Sequence, residues 1–309
     1  MSQRYLVTGC SGFLGHHLAR FLLLKGHKVF GTYWSHPFTI EGVTSFRCNF
    51  RDGPSARKLV KRTMPEVIFH FAGQSNIPRS WDEFQGTFET NVFGTYFLLE
   101  SVRETSPKTR VVVVGSSSEY GPVRAKKTRL TENSLFRPTN PYALSKVGED
   151  LLGWVYYHTF GLPVLRVIPF YVVGPRKEPD APSDFAKAIV RHERGEGTEL
   201  SVGNLAAVRD VVDVRDAMTA FYAIGRKGVA GTAYNLCTGR ETSLRDILQK
   251  MIKISGSRLR IVTDPKKLRV GDETRIVGEA KRLKALGWRP RFSLDETLRT
   301  ILNYWKQKS

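Results

Sequence analysis

A tyrosine and a lysine four positions apart, Tyr142 and Lys146, lie in the segment Asn140-Pro141-Tyr142-Ala143-Leu144-Ser145-Lys146. On a helix that spacing puts both side chains on one face, and Pro141 suits a first helical turn. An ammonium beside a phenol stabilises the phenolate and lowers the phenol pKa toward neutrality. Such a tyrosine can exchange a proton with a substrate oxygen while hydride moves between the attached carbon and a nicotinamide. A hydroxyl from a strand end would complete the site by bonding the same oxygen. Ser116 is the candidate, in Gly115-Ser116-Ser117-Ser118-Glu119-Tyr120-Gly121. A Tyr-x-x-x-Lys pair alone is common and usually structural. It becomes specific in the company of a serine-rich strand end and a glycine loop.

That loop is Thr8-Gly9-Cys10-Ser11-Gly12-Phe13-Leu14-Gly15. It follows a short apolar strand and opens a helix. Gly9 permits the tight turn, Gly12 lets backbone amides approach a pyrophosphate, and Gly15 allows close helix packing. Phe13 and Leu14 join the candidate cofactor contacts. A tight turn without ligand is the competing reading, weakened by the loop's place between strand and helix. At the end of the second strand an acid would bind a ribose 2′-hydroxyl and a base a 2′-phosphate. The residues there, Gly31-Thr32-Tyr33-Trp34-Ser35-His36, include neither an acid nor an arginine. Losing the acid tips the reading to NADP(H) over NAD(H), with Trp34 and Ser35 as contacts, although a solvent-facing loop reads equally well. Asn49 and Phe50 close the third strand where an adenine would lie. Phe71, Ala72 and Gly73 end the fourth and leave room for a ribose.

The elements that must position these groups alternate. Strands are expected at Arg4–Thr8, Lys28–Tyr33, Val43–Arg47, Glu66–Phe71 and Val111–Val114. Helices are expected at Phe13–Lys25, Gly53–Thr63 and about 82–104. Continuous apolar strands mean burial on both faces, and strand–helix alternation means a parallel, doubly wound α/β sheet of Rossmann type. After about residue 170 prolines 169, 175, 179 and 182 break the pattern. Helices return near 184–194, 213–225, 243–254 and 294–306, with short strands near 199–202 and 232–236. The expected division is a dinucleotide-binding domain of 1–170 plus about 211–236, and a smaller mixed α/β substrate lobe of 171–210 and 237–309.

Lys plus Arg total 48 against 29 Asp plus Glu, a formal charge of +19. The basic residues are spread in short groups (57–62, 124–129, 191–194, 266–269, 281–284) rather than gathered in one arm. This favours steering of an anionic small substrate over nucleic-acid binding. Three distant cysteines, Cys10, Cys48 and Cys237, argue against a disulfide framework or a cysteine-ligated metal. No apolar run nears a membrane span, and the first residues do not read as a secretion signal, so a soluble cytoplasmic protein is expected.

Together these motifs resemble the extended short-chain dehydrogenase/reductase family over nearly the whole chain. Val202-Gly203-Asn204-Leu205-Ala206-Ala207-Val208-Arg209-Asp210, Asp264-Pro265-Lys266-Lys267-Leu268-Arg269 and Gly287-Trp288-Arg289-Pro290 narrow the resemblance. They are similar to segments of the branch holding GDP-mannose 4,6-dehydratases and GDP-4-keto-6-deoxy-mannose reductases. The resemblance implies that Arg209 and Arg269 contact the nucleotide diphosphate, as a forked guanidinium suits phosphate; surface ion pairing is the alternative for either alone. It implies cofactor contacts at Pro169 and Val172, and a substrate set of Ser75, Ser117, Ser118, Tyr171 and Lys187. It also implies a homodimer formed by the helices after the fourth and fifth strands. Ser118 stands where the dehydratases carry an acid that helps eliminate water across C5 and C6. Serine cannot do so, and neighbouring Glu119 would point to the opposite face. Two departures are Tyr171, replacing the Asn of P-F-N-x-x-G-P, and Val270, replacing the proline of R-P-x-D/E.

The resemblance therefore implies a reductase of the C4 ketone of a GDP-linked 4-keto-6-deoxy sugar, with hydride from NAD(P)H and a proton from Tyr142. The alternatives are a redox-neutral dehydratase or 4-epimerase on a nucleotide sugar, and a non-catalytic dinucleotide-binding protein with a basic nucleic-acid-binding surface.

Overall fold

The computed structural model describes residues 2–122, 128–267 and 275–308. Seven strands form one sheet: β1 (Arg4–Thr8), β2 (Lys28–Tyr33), β3 (Val43–Arg47), β4 (Val67–His70), β5 (Arg110–Val114), β6 (Val164–Pro169) and, far along the chain, β11 (Ala233–Leu236). Their order is β3-β2-β1-β4-β5-β6-β11, and every pairing is parallel. The strand order reverses between β1 and β4, the position where doubly wound sheets open a crevice at their carboxyl ends.

The unbroken apolar strands are explained by where alternate residues go. Tyr5, Val7, Val67, Phe69, Val112 and Val114 enter one core. Leu6, Ile68, Val111 and Val113, one residue out of phase, enter the other. Helices α1 (Phe13–Leu24) and α8 (Val214–Lys227) cover the first face. Helices α2 (Gly53–Thr63), α5 (Gly94–Thr105) and α6 (Pro141–Phe160) cover the second. Fully burying one such side chain stabilises the fold by about 1.5–3 kcal/mol, so each strand is held from both sides.

The single helix expected at about 82–104 is instead broken into pieces. Residues Ile77–Asp82 form α3 and Phe84–Phe88 form α4, Glu89–Phe93 wind as a π-turn, and α5 follows. The extra residue of a π-turn shifts the helical phase. Here it turns Asn91 inward, fully buried.

Beyond β6 the chain forms β7 (Tyr171–Val173), α7 (Ala181–Glu193), β8 (Glu199–Val202), β9 (Val208–Arg209), β10 (Val211–Asp213), β12 (Thr242–Ser243), α9 (Leu244–Ser255), β13 (Arg260–Thr263), β14 (Arg275–Ile276), α10 (Lys281–Ala285) and α11 (Leu294–Lys308). These strands pair in twos and threes: β7 with β10, β8 with β13, and β9 between β12 and β14. A third core gathers Phe185 and Ile189 of α7, Ile247 and Met251 of α9, and Ile301 and Trp305 of α11. Leu283 and Trp288 pack with the sheet's first core instead, where the Trp288 indole N–H donates to the Asp216 carbonyl of α8 at 3.0 Å. All three cysteines are buried and free. Among the described residues no helix is long and apolar enough to cross a membrane.

Candidate active site

The glycine loop is shaped by three close approaches. Gly9 has φ +67°, and a Cβ there would sit 2.9 Å from the Ala72 nitrogen. A Cβ on Gly15 would lie 2.3 Å from the Gly9 carbonyl oxygen, so α1 rests directly on the turn. The Gly12 N–H donates to the Gly9 carbonyl at 3.0 Å. Helix α1 follows Gly12 with no side-chain cap and no acid in its first turn. By contrast α2, α3, α6 and α8 are capped by Asp52, Asn76, Asn140 and Asp213. The leading N–H groups of α1 therefore have no side-chain acceptor and suit an anionic pyrophosphate. Phe13 and Leu14 are half-buried at this end.

Around the adenosine side, Asn49 is half-buried and Phe50 buried. The Asn49 side-chain oxygen accepts from the Arg51 N–H at 3.1 Å. Trp34 and Ser35 are exposed, and Ser35 bonds His36 at 2.8 Å. The local sequence holds no arginine beside them, but register supplies one. Arg47 pairs across from Tyr33, its guanidinium lies 4.7 Å from the Trp34 ring centre, and its Nε donates to the Trp34 carbonyl at 3.3 Å.

At the end of β4 the Ala72 N–H donates to Thr8 Oγ1 at 2.9 Å, and Thr8 bonds His70 Nδ1 at 2.9 Å. Asn91 fastens this strand end to α6. Its oxygen accepts from the Gln74 N–H at 2.7 Å, and its amide donates to the Gln74 carbonyl and to Ser145 Oγ, both at 2.9 Å. Asn91 escapes the sequence reading; its only signal is a lone Asn inside an otherwise helical stretch. A Cβ on Gly73 would come within 3.0 Å of Asn91 and 3.6 Å of Lys146 Nζ, so the glycine keeps this floor open.

Helix α6 starts on Asn140, whose side chain accepts from the Ala143 N–H at 2.8 Å. Ser116 lies two residues past β5 and starts a short turn, with its hydroxyl close enough to the Tyr142 phenol to oppose the rise in its pKa. Lys146 Nζ lies 5.9 Å from the Tyr142 ring centre. The structure thus brings the three predicted catalytic side chains together at the carboxyl edge of the sheet. The expected lowering of the phenol pKa is not what this arrangement produces. Burial raises Tyr142 above its ordinary value, with Lys146 and the Ser116 bond opposing and Glu149 and Glu119 adding to the rise.

Glu119 does not face the cleft. It is 0% exposed, and one carboxyl oxygen accepts from the Ser116 N–H at 2.6 Å. Burial, followed by the nearby Asp150, pushes it well above the usual carboxyl range. Ser117 and Ser118 are half-buried on the turn, and the Ser118 N–H donates to Ser116 Oγ at 3.3 Å. Ser75 is exposed beside Gly73.

Past β6, Pro169 is half-buried and Val172 buried. The Tyr171 hydroxyl donates to Asp180 Oδ1 at 2.8 Å, and Lys177 Nζ lies 4.3 Å over its ring. Arg209 is half-buried and close enough to Tyr171 to oppose the rise in its pKa that burial and Asp180 impose. Lys187 turns to Glu178 at 2.5 Å and lies 4.4 Å over the Trp305 ring. Arg269 lies outside the described residues. A cavity of about 650 Å³ lined by Arg4, Glu66, Lys108 and Arg110 opens at the opposite, amino edge of the sheet and touches none of these groups.

Comparison with known proteins agrees with this geometry. The family model described as GDP-mannose 4,6 dehydratase matches residues 6–301. The GDP-6-deoxy-D-mannose reductase of Pseudomonas aeruginosa is 30% identical over 311 residues, covering 100% of this chain and 99% of that protein. Among solved structures, RMD from Pseudomonas aeruginosa complexed with NADPH superposes with TM-score 0.89 at 29% identity, over 100% of both chains. The UDP-glucose 4-epimerase of Thermus thermophilus, in complex with NAD, superposes with TM-score 0.88 at 26% identity, over 98% of this chain and 99% of that one.

Proposed function

The chain belongs to the GDP-mannose 4,6-dehydratase family, and on that premise we propose that it reduces the C4 ketone of a nucleotide-linked 4-keto-6-deoxy sugar. The substrate we assign is GDP-4-keto-6-deoxy-D-mannose and the product GDP-D-rhamnose. The observation that carries the choice of reductase over dehydratase is the pair Ser118–Glu119. The position of the eliminating acid holds a hydroxyl, and the adjacent carboxyl is buried against the Ser116 amide.

When bound, the cofactor supplies hydride to C4. Tyr142 donates its phenolic proton to the C4 oxygen, so the carbonyl becomes an alcohol and the tyrosine a phenolate. Ser116 is assigned to hold the same oxygen, and the Lys146 ammonium stabilises the phenolate until solvent returns a proton. The glycine loop and the uncapped start of α1 hold the pyrophosphate. Residues 1–170 with 211–236 serve the cofactor; 171–210 and 237–309 serve the sugar nucleotide, with Arg209 and Arg269 on its phosphates and Ser75, Ser117, Ser118, Tyr171 and Lys187 around the sugar end.

NADPH is the assigned reductant: the end of β2, where a 2′-phosphate would be read, carries Ser35 and His36, and Arg47 stacks on the neighbouring Trp34. The chain is assigned as a homodimer through α5 and α6, where Phe93 just before α5, Tyr96 on it, and Leu144, Leu151 and Val155 of α6 at helical spacing are exposed; light scattering reads the mass. The deciding experiment follows reduced-nicotinamide absorbance with GDP-4-keto-6-deoxy-mannose prepared in place. Stoichiometric loss of the band is expected. Consumption of GDP-mannose itself with no loss of the band would move the assignment to a redox-neutral dehydratase.

A further inference from the structure

The lysine of the catalytic pair is not a lone cation. Its ammonium is buried, donates to the Val114 carbonyl at 3.1 Å, and meets both carboxyl oxygens of Glu149 at 2.9 and 3.0 Å. Glu149 is 1% exposed, and its two oxygens are given to this one partner. The other ionisable groups packed around it are compensated or held neutral. Asp150, next on α6, is paired with Arg166 of β6 at 2.5 Å. Glu119, from the turn after β5, is raised by burial and then by Asp150. His70 of β4 is buried and lowered to about 3, chiefly by burial and then by Lys146. The π-turn and α5 present Asn91 and Thr95, which carry no charge; Glu100, farther along α5, is bound to Arg103 and Tyr156.

Beneath Tyr142, then, lies a neutral ion pair where a lone lysine would place a full positive charge. We propose that Glu149 is a positioning residue: it holds the Lys146 ammonium in a two-oxygen ion pair, cancels much of that charge, and so adds to burial in keeping the proton on Tyr142. This rests on the reading of Tyr142 as the proton donor in ketone reduction, a step that draws on the protonated phenol. An enzyme that begins by removing a proton would gain nothing from such a partner.

The timing of the charge fits. Burial pushes Glu149 up, to about 7, against the pull of Lys146. Its charge is thus complete well below the pH at which the buried Tyr142 loses its proton. Burial works against the Lys146 charge too, but Glu149, Tyr142 and Glu119 outweigh it and leave the lysine above its ordinary value.

The test is Glu149→Gln, which keeps the shape and an acceptor for Lys146 while removing the charge. Tyrosinate absorbance is titrated on the NADP⁺-bound protein without sugar, and the Tyr142→Phe protein is subtracted. The Tyr142 midpoint is expected to fall by about one pH unit or more. The pH above which kcat/KM for reduction declines falls with it. Glu149→Asp withdraws the same charge by one methylene and is expected to shift the midpoint the same way, by less. A midpoint unmoved or raised in Glu149→Gln, or in Glu149→Asp should the Gln chain not fold, overturns the proposal. The titration needs no substrate. A shifted midpoint in a protein that fails to reduce the keto sugar would therefore sink the reductase reading and leave the ion-pair inference standing.

Discussion

Under the proposed NADPH assignment, replacing Arg47 with Gln should leave the protein nearly indifferent to the 2′-phosphate. Arg47 is exposed, so its charge acts through a high dielectric. Two unit charges about 4 Å apart in water attract by about 1 kcal/mol, and a phosphate monoester carries about −1.5 to −2 charges at neutral pH. The contact is therefore worth about 1–2 kcal/mol, or about 5- to 30-fold in affinity. Arg47 also stacks on Trp34 and bonds its carbonyl, so the substitution loosens the loop. NADH titration measures that second effect separately, since NADH lacks the phosphate. Intrinsic fluorescence quenching at low and high salt gives both constants. The expected result is an NADPH dissociation constant raised about 5- to 30-fold, NADH changed less than about 2-fold, and a difference that shrinks as salt screens the charge. Equal weakening of both cofactors, or no change for NADPH, refutes the argument.

Tyr142→Phe removes the proposed proton donor while leaving the fold and the loop untouched; turnover should drop about 10²- to 10⁴-fold with NADPH binding unchanged by titration. Glu119→Gln keeps an acceptor for the Ser116 N–H, so reduction should stay within about 3-fold of the parent, whereas a catalytic Glu119 would lose orders of magnitude. His70 binds protons in the unfolded chain below about 6.5 but in the fold only near 3. Its contribution to stability is present above about 6.5 and is lost as pH falls toward the folded value. His70→Asn should therefore remove about 1.4 kcal/mol per pH unit from the acid slope of stability; urea unfolding at about pH 5, 6 and 7 would show an unchanged slope if the histidine were not the cause.

The strands and most helices were legible because their signals are local. Residues 4–8, 28–33, 43–47 and 53–63 end where the chain's own apolar runs, prolines and glycines end them. The grouping of Ser116, Tyr142 and Lys146 was legible for the same reason: one helix turn and one strand end place it. What escaped depends on register or depth. Arg47 is 13 residues from Trp34 in sequence and meets it only because β3 lies parallel beside β2. The break at 84–93 hides in a stretch of good helical spacing, where a π-turn leaves no composition of its own. Lys146 and Glu149 stand three apart, which on any helix reads as a solvent-facing pair. Their burial comes from β4, β5 and α5, none of them near in sequence.

The place of β11 has a consequence for how the protein is made. Its partner β6 ends at Pro169, and β11 begins only at Ala233, about 60 residues later. At a synthesis rate of about 5–20 residues per second, a ribosome emits that stretch in about 3–12 s. During those seconds the nascent sheet carries an open, apolar β6 edge, the kind of edge that pairs readily with other chains. The nascent chain is therefore most prone to aggregate during this interval, after Tyr142 and Lys146 have already been made, and the edge closes only when Ala233–Leu236 arrives.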